Sequence, residues 1–344
     1  MTVLYVLLAI LLFGILIFVH ESGHFLTARL FKVKVNEFSI GMGPKIISKT
    51  SKKTGTAYSL RALPIGGFVS MEGEDDASED EGAFCNKPVW QRMIITAAGS
   101  LSNILIGFIV MLIIMAGSNA VSTHIASFKD TAVSDEWLSE GDVIVKVGDM
   151  NTYTGNDVVY AVTKYGSSKI NVTVLRDGEE KSFDVVFGTN ETDGYLYGNV
   201  DFYLLLEDAV GNGGFFTTIK HSFFQSRLMI RMVVDSLADL ISGKYSIKDL
   251  SGPVGVTEVI SDAASHRDGT VWLYFVLIAM NLGIVNLLPI PALDGGRLFF
   301  MLIELIIRKP VPRKVEAIIH TVGMVLLLGF MLVITIKDVI HLFI

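Results

Sequence analysis

The stretch FVHESGHFLTARL, Phe18 to Leu30, sets two histidines and a glutamate at the end of a run with almost no ionisable group. From Val3 to Val19 the phenol of Tyr5 is the only one. An apolar run of about 20 residues is the length that crosses a bilayer as a helix. A charged side chain at membrane depth is costly, and without a partner Glu21 would sit in lipid with nothing to offset its desolvation. Such groups are kept where they work. His20 and His24 stand at i and i+4 and so share one helix face, with Glu21 beside them. This H-E-x-x-H pattern turns two imidazoles onto one metal ion and leaves a carboxylate free to take a proton from water on that metal. The amino end lacks the basic n-region and small-residue cleavage site of a signal peptide, so the run reads as a retained transmembrane helix.

The rest of the composition agrees with a membrane location. Of 344 residues 51% are hydrophobic, and the mean hydropathy is +0.53, values that suit a membrane protein with a soluble part. A net charge of -7 gives no basic face for nucleic acid. With Cys85 the single cysteine, there is neither a disulfide framework nor a cysteine-rich zinc site. Any metal must be held by histidine and carboxylate.

Four segments are long and apolar enough to span: roughly Val3 to Phe31, Met93 to Met115, Val271 to Leu288 running on to about Ile307, and Val315 to Ile336. Pro289 and Pro291 break the third, and irregular backbone at membrane depth belongs where it lines a site. Lysines and arginines crowd the connections Lys32 to Arg92 and Arg308 to Lys314, so both are expected on the cytoplasmic side, with the Ser118 to Thr270 insert outside. Within the insert, Ala120 to Asp201 alternates strand-like runs with glycine turns, and LRDGEEKSF reads as a hairpin turning at Asp177-Gly178. Phe215 to Ile241 has helical spacing with several charges, an amphipathic helix at the membrane face. The expected division is 1–118 (first membrane part), 119–202 (β-rich domain), 203–270 (amphipathic helix and linker) and 271–344 (second membrane part).

Two histidines do not complete a catalytic zinc site, which takes three protein ligands and a water. His320, His341 and Asp294 are the membrane-side candidates for the third. The first and third segments run in the same direction, and each reaches its polar group about 20 residues after entry, about 30 Å at helical rise. His320 could reach a similar depth from the opposite direction. The broken backbone of LLPIPALDGG favours Asp294.

HESGH, LLPIPALDGG, FSIGMGPKI (Phe38 to Ile46) and PIGGFVSMEGE (Pro64 to Glu74), taken in order along nearly the whole chain, resemble the site-two protease family. The subgroup it resembles is the bacterial regulated intramembrane proteolysis enzymes with an extracytoplasmic PDZ domain. The resemblance implies a polytopic α-helical membrane protein with about four transmembrane helices, a membrane-associated β-hairpin and an inserted, β-rich PDZ-like domain. It implies Zn2+ held by His20, His24 and Asp294, with Glu21 as general base in peptide hydrolysis inside the bilayer. It places Asn281 and Asn286 at the substrate or its oxyanion, and makes GMGP and PIGGFVSM, with Gly66 and Gly67, a hairpin whose strand edge holds the substrate extended. Implied partners are single-span membrane proteins such as anti-sigma factors, remnant signal peptides, and an upstream site-one-type protease. The implied location is the bacterial inner membrane, with the active site toward the cytoplasm. WLSEGDVIVKVGDMNT (Trp137 to Thr152) resembles the carboxylate-loop region of a PDZ domain, but Gly148-Asp149 replaces the usual Asn-Gly, which makes a size filter the expected role rather than carboxylate capture. SGPVG (Ser251 to Gly255) also recurs in the family, without a physical account at this level. Two other readings are a non-catalytic scaffold or metal sensor on the same fold, and a metalloprotease whose third ligand is a downstream glutamate, Glu304 or Glu316.

Overall fold

A computed structural model describes residues 2–74, 76–166, 168–192, 195–245, 250–266 and 269–341. Helix α1 (Thr2–Leu30) runs unbroken through the first apolar segment. It ends where Lys32 turns left-handed (φ 56°) and Val33 N–H reaches back 2.8 Å to the carbonyl of Ala28, the hydrogen bond that closes a Schellman-type end. Strands β1 (Val35–Thr50) and β2 (Ala57–Met71) follow and pair antiparallel. Both strands bend, so that Glu37 to Ile40 meets Ser70 to Gly67 on one side and Ala57 to Leu60 on the other. A polar clasp holds the bend. Arg61 Nη2 lies 2.9 Å from Glu37 Oε1, Arg61 Nε donates to Ser39 Oγ at 3.0 Å, and Lys45 Nζ lies 2.9 Å from Glu37 Oε2. The base of the hairpin is apolar: Val33, Val35, Phe38, Val69 and Met71 are buried with Ala28 of α1 and with Phe84, Ile95 and Met301.

Helix α2 (Val89–Ala116) is the second long apolar helix. By backbone contacts the chain divides into two compact units, residues 1–107 with 232–344, and residues 108–231. The second unit carries the β-rich part of the insert: β3 (Asn119–Phe128), β4 (Val143–Val147), β5 (Met150–Asn151), α3 (Gly155–Tyr165), β6 (Ile170–Arg176), β7 (Glu179–Val185), β8 (Gly188–Thr192), β9 (Tyr195–Asn199) and β10 (Phe202–Ala209). The sheet runs β10-β3-β4-β6-β7, with β5 beside β4, and β8 pairs separately with β9. Asp177 (φ 56°) and Gly178 (φ 83°) are both left-handed, the geometry of a two-residue type I′ hairpin between β6 and β7. Thr154 and Asp157 form a capping box at the start of α3. A bidentate pair, Arg176 Nε and Nη2 each 2.7 Å from the buried Asp142 carboxylate, ties β6 to the turn before β4.

Helix α4 (Phe215–Ile241) has the bounds expected for the amphipathic helix. Two departures from the sequence reading follow it. The linker expected up to residue 270 contains a helix of its own, α5 (Pro253–His266). The third apolar segment is not one span with a flaw in it: α6 (Thr270–Leu287) stops before the prolines, and α7 (Asp294–Ile307) begins afresh at the aspartate. Proline at 289 and 291 removes two backbone donors and excludes the helical conformation just ahead of each ring. Helix α8 (Arg313–His341) is last. Among the described residues four helical stretches are long and apolar enough to cross a membrane: Leu4–Leu30, Val89–Ala116, Thr270–Leu287 and Lys314–Ile340.

The SGPVG motif gains a physical account from the fold. Gly252 is the residue before α5, Pro253 occupies the first helical position, and the amides of Gly252 and Gly255 both donate to Asp338 Oδ2 of α8, at 2.8 and 3.0 Å. A carboxylate from another helix therefore satisfies N–H groups that a helix start leaves unpaired. Lys337 Nζ adds a 2.6 Å bond to the carbonyl of Leu250.

Candidate metal centre

Two helices supply the donors of the centre. Helix α1 supplies His20 and His24 one turn apart, with their rings edge-to-face at 4.8 Å between centroids. Helix α7 supplies Asp294 from its first turn, where an acid is favoured by the exposed amides of a helix start. The two imidazole Nε2 atoms are 3.2 Å apart, and Asp294 Oδ2 lies 3.2 Å from that of His20 and 3.4 Å from that of His24. Among the described residues no other group of three or more His, Cys, Asp or Glu side chains has this arrangement.

These spacings bear on whether a metal fits. A tetrahedral ion with ligand bonds of 2.0–2.1 Å has its donors about 3.3–3.4 Å from each other. The three edges, 3.2, 3.2 and 3.4 Å, lie close to that value. Three donors at this spacing would fit one face of a tetrahedral site, and two nitrogens with one carboxylate oxygen form a donor set zinc accepts. His24 is oriented for coordination, since its Nδ1 donates to the carbonyl of Ile95 at 2.8 Å and leaves the Nε2 lone pair toward the site.

Helix α2 crosses α1 at this level at very short range. A methyl group on Gly23 would collide with the carbonyl of Ala98, and one on Gly99 would collide with the His24 imidazole. Asp294 in turn depends on the loop ahead of it. Ala292 is held left-handed (φ 76°) and its N–H donates to His320 Nδ1 at 3.0 Å. The structure thus assigns His320 a place in the backbone of the aspartate loop and leaves it out of the donor triangle. The side chain of His341 lies outside the described residues. Glu304 is paired with Arg92 at 2.7 Å, and Glu316 lines a polar cavity with Arg297 and His320. Neither glutamate belongs to the triangle.

Glu21 is half-buried on α1 at the end of an apolar groove of about 400 Å³. Leu7, Leu11, Ile15 and Phe18 of α1 form one wall, and Ile40, Leu60, Gly66 and Gly67 of the hairpin form part of the other. A methyl on Gly67 would stand 3.1 Å from Glu21 Cγ, so the strand passes directly over the carboxylate. Asn281 is exposed and Asn286 half-buried on α6, and neither is among the residues that wall the groove. The sequence reading overlooked the share of α2. Ser100 and Asn103 are fully buried there, with Ser100 Oγ 3.3 Å from Asp294 Oδ2 and Asn103 Nδ2 3.2 Å from His20 Nδ1. Their signal was available in AAGSLSN, a polar patch inside a span, which the cost of burying polar groups marks just as it marks HESGH.

The sequence profile of peptidase family M50 matches residues 8–330. The chain belongs to that family, the site-two proteases. It is 37% identical to a Fusobacterium nucleatum protein whose name assigns it, provisionally, to the zinc metalloproteases, over 98% of this chain and 99% of that one. It is 28% identical to the Bacillus subtilis "Regulator of sigma-W protease RasP" over 97% of this chain and 98% of the other. A "Zinc metalloprotease RasP" of Bacillus licheniformis matches at 29% with the same two coverages. This site-two protease is accordingly a zinc-dependent intramembrane metalloprotease and a multi-pass membrane protein.

Proposed function

We propose that this enzyme cleaves the membrane-spanning segment of single-span proteins at a zinc ion held by His20, His24 and Asp294. The observation that carries the reading is the donor triangle with 3.2–3.4 Å edges, formed beside Glu21 at the end of an apolar groove. Bound zinc supplies a Lewis acid and a water whose pKa is lowered to about 7. Glu21 would take the proton of a water held there for attack on the scissile carbonyl and would deliver it to the leaving amine nitrogen. Asn281 and Asn286 are the groups proposed to steady the substrate or its developing oxyanion from α6.

A transmembrane substrate hides its peptide bonds in its own helix, so it must be unwound before attack. The Gly66-Gly67 end of β2 is suited to that. Residues 67–70 pair with β1 on one side, and among the described residues no other strand takes the opposite edge. An extended substrate segment adding to that edge would lie along the groove, with its backbone presented to Glu21. Gly66 and Gly67 keep that approach free of side chains.

The basic connections are proposed to face the cytoplasm of a bacterial inner membrane, with the β-rich insert outside. The proposed division is residues 1–118, 119–202, 203–270 and 271–344, with the last strand of the β-rich part, β10, running on to Ala209. The insert is read as a PDZ-like filter that excludes substrates with bulky outer domains, which makes an earlier cut by a site-one-type protease a requirement. Anti-sigma factors and remnant signal peptides fit such a substrate class, and the sigma-W regulator name of the Bacillus subtilis relative supports the former. The direct test is cleavage of a tagged single-span substrate in detergent by the wild type, by Glu21→Gln and by chelator-treated enzyme. Cleavage by the wild type alone supports the reading. Full cleavage by a zinc-loaded Glu21→Gln variant would overturn the role given to Glu21.

A further inference from the structure

We infer that Asn103 is a positioning residue of the metal centre, accepting the Nδ1 proton of His20 through its amide oxygen, and that one face of α2 orients all three ligands. The inference rests on the assignment of His20, His24 and Asp294 to zinc. An imidazole offers a lone pair at Nε2 only when its proton sits on Nδ1, and that N–H then needs an acceptor. His24 has the carbonyl of Ile95 for this purpose. His20 Nδ1 faces the side-chain amide of Asn103, 3.2 Å from Nδ2. With Nδ2 in that place, His20 would have to carry its proton on Nε2, the atom that faces Asp294 Oδ2 at 3.2 Å.

The two ends of a carboxamide have nearly the same shape, and which one faces a neighbour follows from the hydrogen bonds each can make. Asn103 is fully buried, and its Oδ1 has no hydrogen-bond partner. Turning the amide by half a rotation brings that oxygen to His20 Nδ1–H and frees Nε2 for the metal. The same face of α2 carries the other contacts. Ser100 Oγ reaches Asp294 Oδ2 at 3.3 Å, and Gly99 leaves room for the His24 ring, which any Cβ there would strike. Gly99, Ser100 and Asn103 stand at i, i+1 and i+4 of one helix, so a single rigid element meets each of the three ligand side chains.

The test is the zinc affinity of the detergent-solubilised full chain, measured by competition with a chromogenic chelator. Asn103→Leu removes the acceptor, whereas Asn103→Asp keeps an oxygen in its place. Loss of such an outer contact costs 10–100-fold in metal affinity. The expected result is a loss of about that size in Asn103→Leu, with Asn103→Asp held to within about threefold of the wild type. The thermal midpoint of each metal-free variant is recorded alongside, and it should not follow the zinc affinity. Should Asn103→Leu fail to fold, Asn103→Ala carries the same expectation. Wild-type affinity in the Leu or Ala variant overturns the inference, as does an Asp variant as weak as the Leu variant. A wild-type chain that takes up no zinc overturns the ligand assignment beneath it.

Discussion

Glu21 and Asp294 are both carboxylates near the same two imidazoles, yet they occupy different places and the proposal gives them different work. Asp294 Oδ2 stands within 3.4 Å of both Nε2 atoms and completes the triangle, while Glu21 lies outside it and lines the groove beside Gly67. Glu21→Gln is therefore expected to keep zinc at one per chain and to lower cleavage by at least about 10²-fold, the scale of a lost general base. Metal analysis together with a cleavage assay checks it. Asp294→Ala is expected to lose zinc. Glu304→Ala is expected to keep it, because Glu304 serves the ion pair with Arg92. Zinc lost from the glutamate variant and kept in the aspartate variant would return the third-ligand question to the downstream glutamate.

At the scale of elements, the hairpin and α5 are each held by a carboxylate. Burial alone would raise the pKa of Glu37, but hydrogen bonds from Ser59, Lys45 and Arg61 outweigh it and lower the value from 4.5 to about 2. A carboxyl group whose folded pKa lies below its unfolded one stabilises the fold above the unfolded value, and the contribution fades as pH falls through the folded one. Glu37 thus supports the hairpin in full above about pH 4.5 and loses that effect between there and about pH 2. Thermal melting of the wild type and Glu37→Gln should show the variant less stable at pH 7, with the difference closing as pH drops. Asp338 acts on α5 by direct contact. Removing its side chain takes the acceptor from the amides of buried Gly252 and half-buried Gly255. Hydrogen bonds to a charged acceptor contribute roughly 1.5–3 kcal/mol each, so Asp338→Ala should destabilise by an amount on that order. Faster proteolysis near Ser251 in that variant, compared with wild type, is the readout.

At the scale of the whole molecule, the four apolar helices and the distribution of basic residues make a topology that can be probed directly. In a Cys85→Ser background, a cysteine at Lys181, in the insert, should react with an impermeant maleimide in intact cells. One at Lys52, between β1 and β2, should react only after the membrane is opened. The reverse pattern would invert the orientation. Chelation should abolish cleavage, and added zinc should restore it. Shortening the outer domain of a resistant single-span substrate should make it cleavable if the insert acts as a size filter. Deleting the insert from a chain that still binds zinc should relax the same restriction.

The local patterns were legible because they act over a few residues. HESGH places two imidazoles on one helical face by the pitch of the helix alone, and Asp177-Gly178 needs only its own left-handed dihedrals to turn β6 into β7. Pro289 and Pro291 marked a break in an apolar run by chain chemistry, though whether a single span resumed or a new helix began depended on what packed around them. Contacts between distant segments had no such local sign. Nothing near Ser251 announces Asp338, because a carboxylate 83 residues beyond Gly255 reaches the start of α5 only once α8 lies beside it. Asn103 and Ser100 stand out in the sequence as polar residues inside a span, but their partners appear only when α2 lies at hydrogen-bond range of α1 and α7. The choice among His320, His341 and Asp294 as third ligand was likewise one of depth and direction. The sequence by itself determined the spans, the two histidines, the glutamate and the chemistry they can perform. The tertiary structure showed that Asp294 stands beside the two imidazoles and that α2 touches all three side chains. Hydrophobic periodicity says which face of a helix avoids water, and it says nothing about which other helix that face will meet.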